Sequence, residues 1–371
     1  MLKKTFLLYI LLFIPLFLSA QKVSLGSCTT SDGGQYKGEM VGGKPNGKGT
    51  AVYANGDIYE GEYVKGKRSG YGTYTFSDGE KYEGQWFQNL QHGRGTYYFL
   101  TNNKYVGLWF RDEQQGHGIM YYYNGDKYEG NWQKSKRHGK GKYTFANGAF
   151  YNGNWDNDKK SGKGFFDWGN GTTYDGMWLD NQRSGKGTFK YADGDVYIGD
   201  WKDDIQNGQG IYKFQNGDYY EGSYSQGERT GEGIFKYSNG DKYVGTFRDG
   251  LKNGFGSFYW ANGDMYSGYW TNDRQQGKGK LVKKNGDVFD ANFKDGLFDG
   301  EVIIHFVNGS RFKGIYKKGR RNGPAIEEDK DGKRFEGVYV DGYRDGNYLE
   351  KDRNGQILSS GRYEHGRKIS N

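Results

Sequence analysis

The sequence is short of cysteine and proline, and each shortage excludes a class of protein. Cys28 is the single cysteine among 371 residues, so no intramolecular disulfide can form. Only three prolines accompany 18% aromatic residues. This balance argues against a disordered chain, because disordered segments are poor in the residues that bury surface.

A block of one charge sign is also lacking. The chain has 53 basic and 45 acidic residues, for a net charge of +8, and both signs are interspersed throughout. Without a basic arm or stripe joined to a nucleic-acid motif, binding of nucleic acid is not expected.

Long hydrophobic runs are absent beyond the N-terminus. Lys3 and Lys4 precede the apolar run 6–18, and Ala20 offers a small residue for cleavage. These features predict a secretory signal peptide at 1–20 and an exported protein of the periplasm, the cell envelope or the extracellular space. An uncleaved anchor is the alternative, although the run is shorter than the ~18 residues of a membrane-spanning helix.

Cys28 offers a second alternative, because Leu25-Gly-Ser-Cys28 resembles a lipoprotein box. The box lies well beyond the apolar run, however, and Asp32-Gly33 stands one period before the turn Asn55-Gly56. Residues 21–35 are therefore predicted to form an N-terminal capping half-repeat that contains an unpaired thiol.

Glycine, at 65 residues, and the aromatic residues are abundant instead, and both recur every 23 positions. Tyr128-Glu-Gly130-Asn-Trp132 is followed by Gly139-Lys-Gly141, and the pattern begins again with Tyr151, Gly153 and Trp155. The length and the strict register of the pattern identify a repeat protein. An aromatic residue opens the repeats at 36, 59, 82, 105, 128, 151, 174, 197, 220, 243, 266, 289, 312 and 335.

Each repeat predicts two short strands, if positions are counted from the opening aromatic residue as position 0. Aromatic, glycine and aromatic residues alternate at positions 0, 2 and 4, and large residues alternate at positions 15 and 17. Period two is typical of strands. Tyr128, Trp132, Tyr151 and Trp155 are predicted to be stacking core. Gly130, Gly139, Gly141 and Gly153 are interpreted as structural glycines of the repeat, with Gly130 providing clearance for the rings.

Two connections are predicted for each repeat. Asn-Gly or Asp-Gly at positions 19 and 20 ends thirteen of the fourteen repeats and predicts a tight type I′ turn. Positions 5–10 vary, as in 133–138, and are predicted to form a looser loop that carries specificity.

These residues resemble the MORN (membrane occupation and recognition nexus) repeat of a bacterial, exported type. The resemblance covers 36 to about 357. It implies an all-β fold, an elongated single antiparallel sheet of about fourteen β-hairpins in a meander. It further implies a scaffold or dimerising module, with phospholipid binding proposed for some members, and no catalytic residue.

The predicted organisation is a signal peptide at 1–20, the capping half-repeat, a repeat array at 36–357 and a C-terminal capping tail at 358–371. The last three repeats depart from the pattern. For example, Gly-x-Gly becomes Gly300-Glu-Val302. Terminal repeats of a solenoid face water, so this drift indicates capping, and 280–371 is expected to be less regular.

No catalytic, metal or cofactor site is predicted. His92 and His138 share position 10 but stand two repeats apart, ~20 Å at strand spacing, which is too far to share a metal. No Gly-Lys pair is followed by Ser or Thr, which excludes a P-loop, and no small-molecule substrate is expected. The recurring aspartates after the turns, such as Asp57, are interpreted as turn chemistry rather than as a calcium ladder.

The sequence therefore predicts a non-enzymatic, exported scaffold that binds a protein partner or a second copy of itself, as in a homodimer. The alternative is peripheral binding to anionic phospholipid surfaces through Lys140, Lys163 and Lys186 at position 12. Gln209 and Glu232 interrupt that row, which favours a solvated face instead. A hydrolase of envelope polymers is the third and least supported hypothesis. Acidic residues paired across the concave face, at distances suited to glycoside chemistry, would distinguish it.

Overall fold

A computed structural model describes residues 22–369, in which all regular structure is β-strand. The predicted signal peptide at 1–20 lies outside the described residues. By internal contacts the chain forms two compact units, which meet in sequence between Ala146 and Asn147. Within each unit, strands that follow each other along the chain pair antiparallel, except that β29 and β30 both pair with β28. The prediction of an all-β hairpin meander is confirmed.

The N-terminal unit alternates strands of seven and nine residues after a first strand of six. Its described strands are β1 (Ser24–Thr29), β2 (Gln35–Val41), β3 (Lys44–Val52), β4 (Ile58–Val64), β5 (Lys67–Thr75), β6 (Lys81–Phe87), β7 (Leu90–Tyr98), β8 (Lys104–Phe110), β9 (Glu113–Tyr121), β10 (Lys127–Gln133) and β11 (Lys136–Thr144).

The C-terminal unit keeps the same alternation over most of its length. Its described strands are β12 (Phe150–Asp156), β13 (Lys159–Asp167), β14 (Thr173–Leu179), β15 (Gln182–Lys190), β16 (Val196–Lys202), β17 (Ile205–Lys213), β18 (Tyr219–Ser225), β19 (Glu228–Lys236), β20 (Lys242–Arg248), β21 (Leu251–Tyr259), β22 (Met265–Thr271), β23 (Arg274–Val282), β24 (Val288–Lys294), β25 (Leu297–His305), β26 (Arg311–Lys317), β27 (Arg320–Glu328), β28 (Arg334–Val340), β29 (Tyr343–Arg344), β30 (Gly346–Lys351), β31 (Ile357–Glu364) and β32 (Arg367–Ile369).

The prediction of a loop at 133–138 is wrong. Its residues belong to the ends of β10 and β11, and only Lys134 and Ser135 connect the two strands. Both residues have positive φ, 49° and 58°, as a two-residue type I′ turn requires. Because this segment is not a loop, it cannot carry specificity in the way predicted. The ladder is irregular between Gly130 and Trp132, where Gly139 adopts a positive φ of 66°.

The prediction of a type I′ turn at Asn-Gly is also wrong. In Asn55-Gly56 only the glycine has positive φ, 91°. Tyr53 N–H donates to Asp57 O and Gly56 N–H donates to Tyr53 O, both at 2.9 Å. This is a three-residue loop with glycine in the left-handed position. Asn55 Oδ1 accepts a hydrogen bond from Asp57 N–H at 3.1 Å, which explains why Asn or Asp precedes the glycine.

The loss of regularity expected from residue 280 begins later. Strand lengths of seven and nine persist through β28, which ends at Val340. The next strand, β29, has two residues, and the ladder between β30 and β31 is irregular at Glu350 and Lys351. The repeats at 289 and 312 keep strands of seven and nine residues, although their Gly-x-Gly motifs are incomplete.

Candidate functional site

The sheet of each unit has two unlike faces. Positions 0, 2, 4, 9, 13 and 15 share one face, named here the aromatic face. Positions 1, 3, 12 and 14 share the other, named here the groove face. The register sets this division, since Glu129 stands opposite Lys142 and Tyr128 stands opposite Tyr143.

Tyrosine rings lie directly over paired glycines on the aromatic face. Gly130 and Gly141 stand opposite each other beneath Tyr128. A Cβ on Gly130 would lie 2.4 Å from Gly141 Cα and 2.6 Å from the Tyr128 hydroxyl oxygen. That hydroxyl donates to Asn131 O at 2.9 Å. The glycines at positions 2 and 13 thus allow the ring to close the core against the backbone.

The predicted core residues are buried on this face. Trp132 packs edge-on against Tyr128, with centroids 5.2 Å apart, and its Nε1 donates to Gly118 O of the preceding repeat at 3.3 Å. In the C-terminal unit Tyr151 and Trp155 are buried as well, and Gly153 faces Gly164. Trp132 also packs edge-on against Tyr105 of the preceding repeat, with ring centroids 5.3 Å apart. Neighbouring repeats therefore share both ring contacts and a hydrogen bond.

Sequence reasoning missed a row of long polar residues at position 9, within the segment predicted as a loop. The Cζ atom of Arg183 lies 4.3 Å from the ring centre of Trp201 in the next repeat. Its Nε donates to Asp204 Oδ1 at 2.9 Å. Lys160 holds the same place, with Nζ 4.0 Å from the Trp178 ring centre, and burial lowers its pKa to about 8. The recurrence of Arg, Lys or Gln at position 9 was the available signal.

The aspartates at position 21 link successive repeats, a role that the interpretation as turn chemistry missed. Asp57 is 6% exposed and accepts hydrogen bonds from the Tyr74 hydroxyl at 2.7 Å and from Ser77 N–H at 2.9 Å. Burial raises the pKa of Asp57, but hydrogen bonds, led by that of Tyr74, outweigh burial and hold it below its usual value. Asp126 repeats the arrangement with Tyr143 and Ala146.

The groove face of the N-terminal unit carries exposed apolar side chains. Tyr71 is 60% exposed, Leu108 39% and Val106 37%. Together with Glu83 and Arg94 they line a groove of about 390 Å³. Gly95 and Gly107 also line the groove, through their backbone, since a side chain on either would point to the aromatic face.

The groove face of the C-terminal unit brings together two of the three lysines predicted for lipid contact. Lys163 and Lys186 line one groove with Asp175, Met177 and Glu221. Lys186 Nζ lies 2.7 Å from Asp200 Oδ1. Lys140 is exposed at the equivalent position of β11 in the N-terminal unit. Acidic and apolar side chains therefore alternate with these lysines.

Residues 22–369 contain no cluster of three or more His, Cys, Asp and Glu side chains arranged to hold a metal ion. Within the same range, no helix has the length and apolar character needed to cross a membrane.

Comparison with known proteins identifies the repeat. The family model for the MORN repeat matches twelve segments, eleven in succession over 36–288 and one at 312–334. The degenerate repeats at 289 and 335 are not among them. No curated protein matches the chain in sequence.

Solved structures match the chain at low identity and low TM-score. The TCP domain of Drosophila melanogaster SAS-4, solved with a proline-rich motif of Ana2, is 19% identical, with 42% of this chain and 85% of that chain covered and a TM-score of 0.30. The TCP10 domain of Danio rerio CPAP is 16% identical, covers 52% of this chain and 96% of its own, and has a TM-score of 0.30.

Proposed function

We propose that this chain, which belongs to the MORN repeat family, is a non-enzymatic scaffold that holds a protein segment on its groove face. The observation that carries the proposal is the group of exposed apolar side chains, Tyr71, Val106 and Leu108, that line the groove. Contiguous exposed apolar surface rimmed by polar residues marks interaction sites in soluble proteins. The aromatic face cannot serve in this way, since its rings are buried against the backbone.

The charges around the groove indicate the chemical character of the partner. Glu83 and Arg94 flank the apolar side chains of the N-terminal unit, so both signs are present. A segment with apolar anchors and charges of both signs would leave no buried charge unpaired, as a stable interface requires. The predicted signal peptide supports placing this activity in the cell envelope.

A pull-down after chemical crosslinking in intact cells tests the proposal. The tagged chain is compared with its Leu108→Glu variant, which adds a charge to the groove without touching the buried rings. A partner recovered with the wild-type chain and depleted at least about tenfold with the variant supports the proposal. Equal recovery of every protein by both chains, with both folded by circular dichroism, contradicts it.

Binding to anionic lipid is the weaker candidate. Asp175 and Glu221 share the groove with Lys163 and Lys186, and Asp200 pairs with Lys186. Carboxylates among the lysines oppose attraction to an anionic surface. Salt-sensitive cosedimentation with phosphatidylserine vesicles, lost on neutralising Lys140, Lys163 and Lys186, would reverse this ranking.

A further inference from the structure

We propose that the outer edge of β1 pairs with β1 of a second copy of this chain, about a two-fold axis at Gly26. The sheet of the N-terminal unit would then continue into its counterpart. This inference rests on the proposed scaffold function and names one partner and its site.

The edge of β1 lacks the usual protection of an edge strand. β1 pairs with β2 along one side, and no strand among residues 22–369 pairs with its other side. Its sequence, Ser-Leu-Gly-Ser-Cys-Thr, contains neither charge nor proline. Strands that end a sheet in monomers are usually shortened, charged or interrupted by proline. β32, with three residues of which two are basic, follows that rule, and β1 does not.

The backbone of β1 presents alternate groups to a partner strand. Thr30 N–H donates to Gly34 O at 2.8 Å, which fixes the side of the strand that faces β2. Because backbone groups alternate in an antiparallel ladder, those of Leu25, Ser27 and Thr29 point away from β2. These groups are the donors and acceptors that a second strand would pair.

The glycine row selects the register. Gly26 faces Gly38, Gly38 faces Gly49, and Gly49 faces Gly61. Pairing Gly26 with Gly26 of a second copy extends this row and keeps like faces together, which a shift of one residue would not. It also sets Leu25 opposite Ser27 of the second copy. Leu25 is 84% exposed on the groove face, and the pairing covers it.

Charge pairs at Leu25 and Ser27 test both the association and its register. The full chain, purified with and without residues 1–20, is examined by sedimentation equilibrium over a concentration series. Leu25→Lys with Ser27→Lys would set lysine opposite lysine in the proposed register. Leu25→Lys with Ser27→Glu would set lysine opposite glutamate twice. The control is Thr50→Lys. Together with Lys48 it places two lysines two residues apart on β3, as the double-lysine variant does on β1. Both edges of β3 are already paired, so this variant should not affect association.

The wild-type chain and the Thr50→Lys control are expected to dimerise with rising concentration. The double-lysine variant is expected to weaken association at least about tenfold, and the lysine–glutamate variant to restore it in a salt-sensitive way. A monomeric wild type, or a double-lysine variant that dimerises as well as wild type, overturns the proposal. Failure of the lysine–glutamate variant to recover overturns the register at Gly26. None of these results bears on partner recovery through Leu108, so the two proposals fail separately.

Discussion

Asp57 reaches from one repeat into the next and accepts hydrogen bonds from the hydroxyl of Tyr74 and from the backbone N–H of Ser77, at 2.7 and 2.9 Å. Single repeats of a solenoid are stabilised mainly by their neighbours. This carboxylate therefore connects turn to turn in addition to the packing of the rings.

Asp57→Ala is expected to lower the free energy of unfolding by about 1–3 kcal/mol, because it leaves the buried Tyr74 hydroxyl without its acceptor and removes the acceptor of Ser77 N–H. Asp241→Ala is the matched control, since Asp241 accepts from Ala261 N–H but Phe258 offers it no hydroxyl. Urea unfolding of both variants measures the difference. Equal losses would show that the tyrosine hydrogen bond contributes nothing.

Gly130→Ala tests the close approach of Tyr128. The added methyl group would collide with Gly141 Cα and the tyrosine hydroxyl, and such overpacking costs about 1–3 kcal/mol or more. Gly79→Ala serves as the control, because nothing lies within 4 Å of its Cβ and only its φ of 98° is strained. The control should lose about 1 kcal/mol. Chemical unfolding curves check this order, and a milder loss at Gly130 would contradict the packing described for the ring.

The buried Lys160 predicts how the stability of the folded chain depends on pH. Its pKa lies near 8 in the folded chain, below its ordinary value of 10.5, so between these values the folded state holds fewer protons than the unfolded state. Stability contributed by this group therefore rises with pH in that window. Lys160→Gln, which copies Gln206 at the same position, should remove the rise. Unfolding free energies at pH 7.5, 8.5 and 9.5 measure it.

Lys159→Gln is the control for that experiment, since Lys159 is exposed beside Asp180. The control should keep the wild-type slope. A Lys160→Gln variant with the same slope as wild type would mean that Lys160 is solvated as freely as its neighbour.

The mass of the exported chain tests the predicted signal peptide. Cleavage after Ala20 should leave Gln21 as the first residue of the exported chain. Intact-mass analysis of protein recovered from the envelope fraction and the medium checks this. A chain that retains residues 1–20, or that carries acyl groups on Cys28, would support one of the two alternatives instead.

The sequence predicts the fold well because glycine and aromatic residues have few alternatives at their positions. Tyr128 needs Gly130 and Gly141 beneath it, and that need repeats with the period. The two-residue turn at Lys134 and Ser135 could not be predicted from the sequence, because positive φ is unusual for such residues and the turn contains no glycine. The role of Arg183 is missed for another reason, since its shortest contacts, to Trp201 and Asp204, lie in the next repeat.

The candidate site is harder to predict than the core. A row of lysines at position 12 can be read from sequence, but its neighbours at positions 1, 3 and 14 depend on the register between strands. That register places Asp200 against Lys186 and mixes carboxylates into the row. Exposed apolar residues such as Leu108 join the same face and favour the predicted protein partner over the lipid alternative.

The central claim is that the groove face holds a protein partner, and site-specific photocrosslinking in intact cells tests it most directly. A photoreactive phenylalanine analogue replaces Tyr71 in the groove or, as the control, Tyr123, which is 77% exposed in a turn. A discrete crosslinked protein from position 71 and none from position 123 is the predicted result. No crosslinked protein from position 71, or the same products from both positions, would contradict the claim.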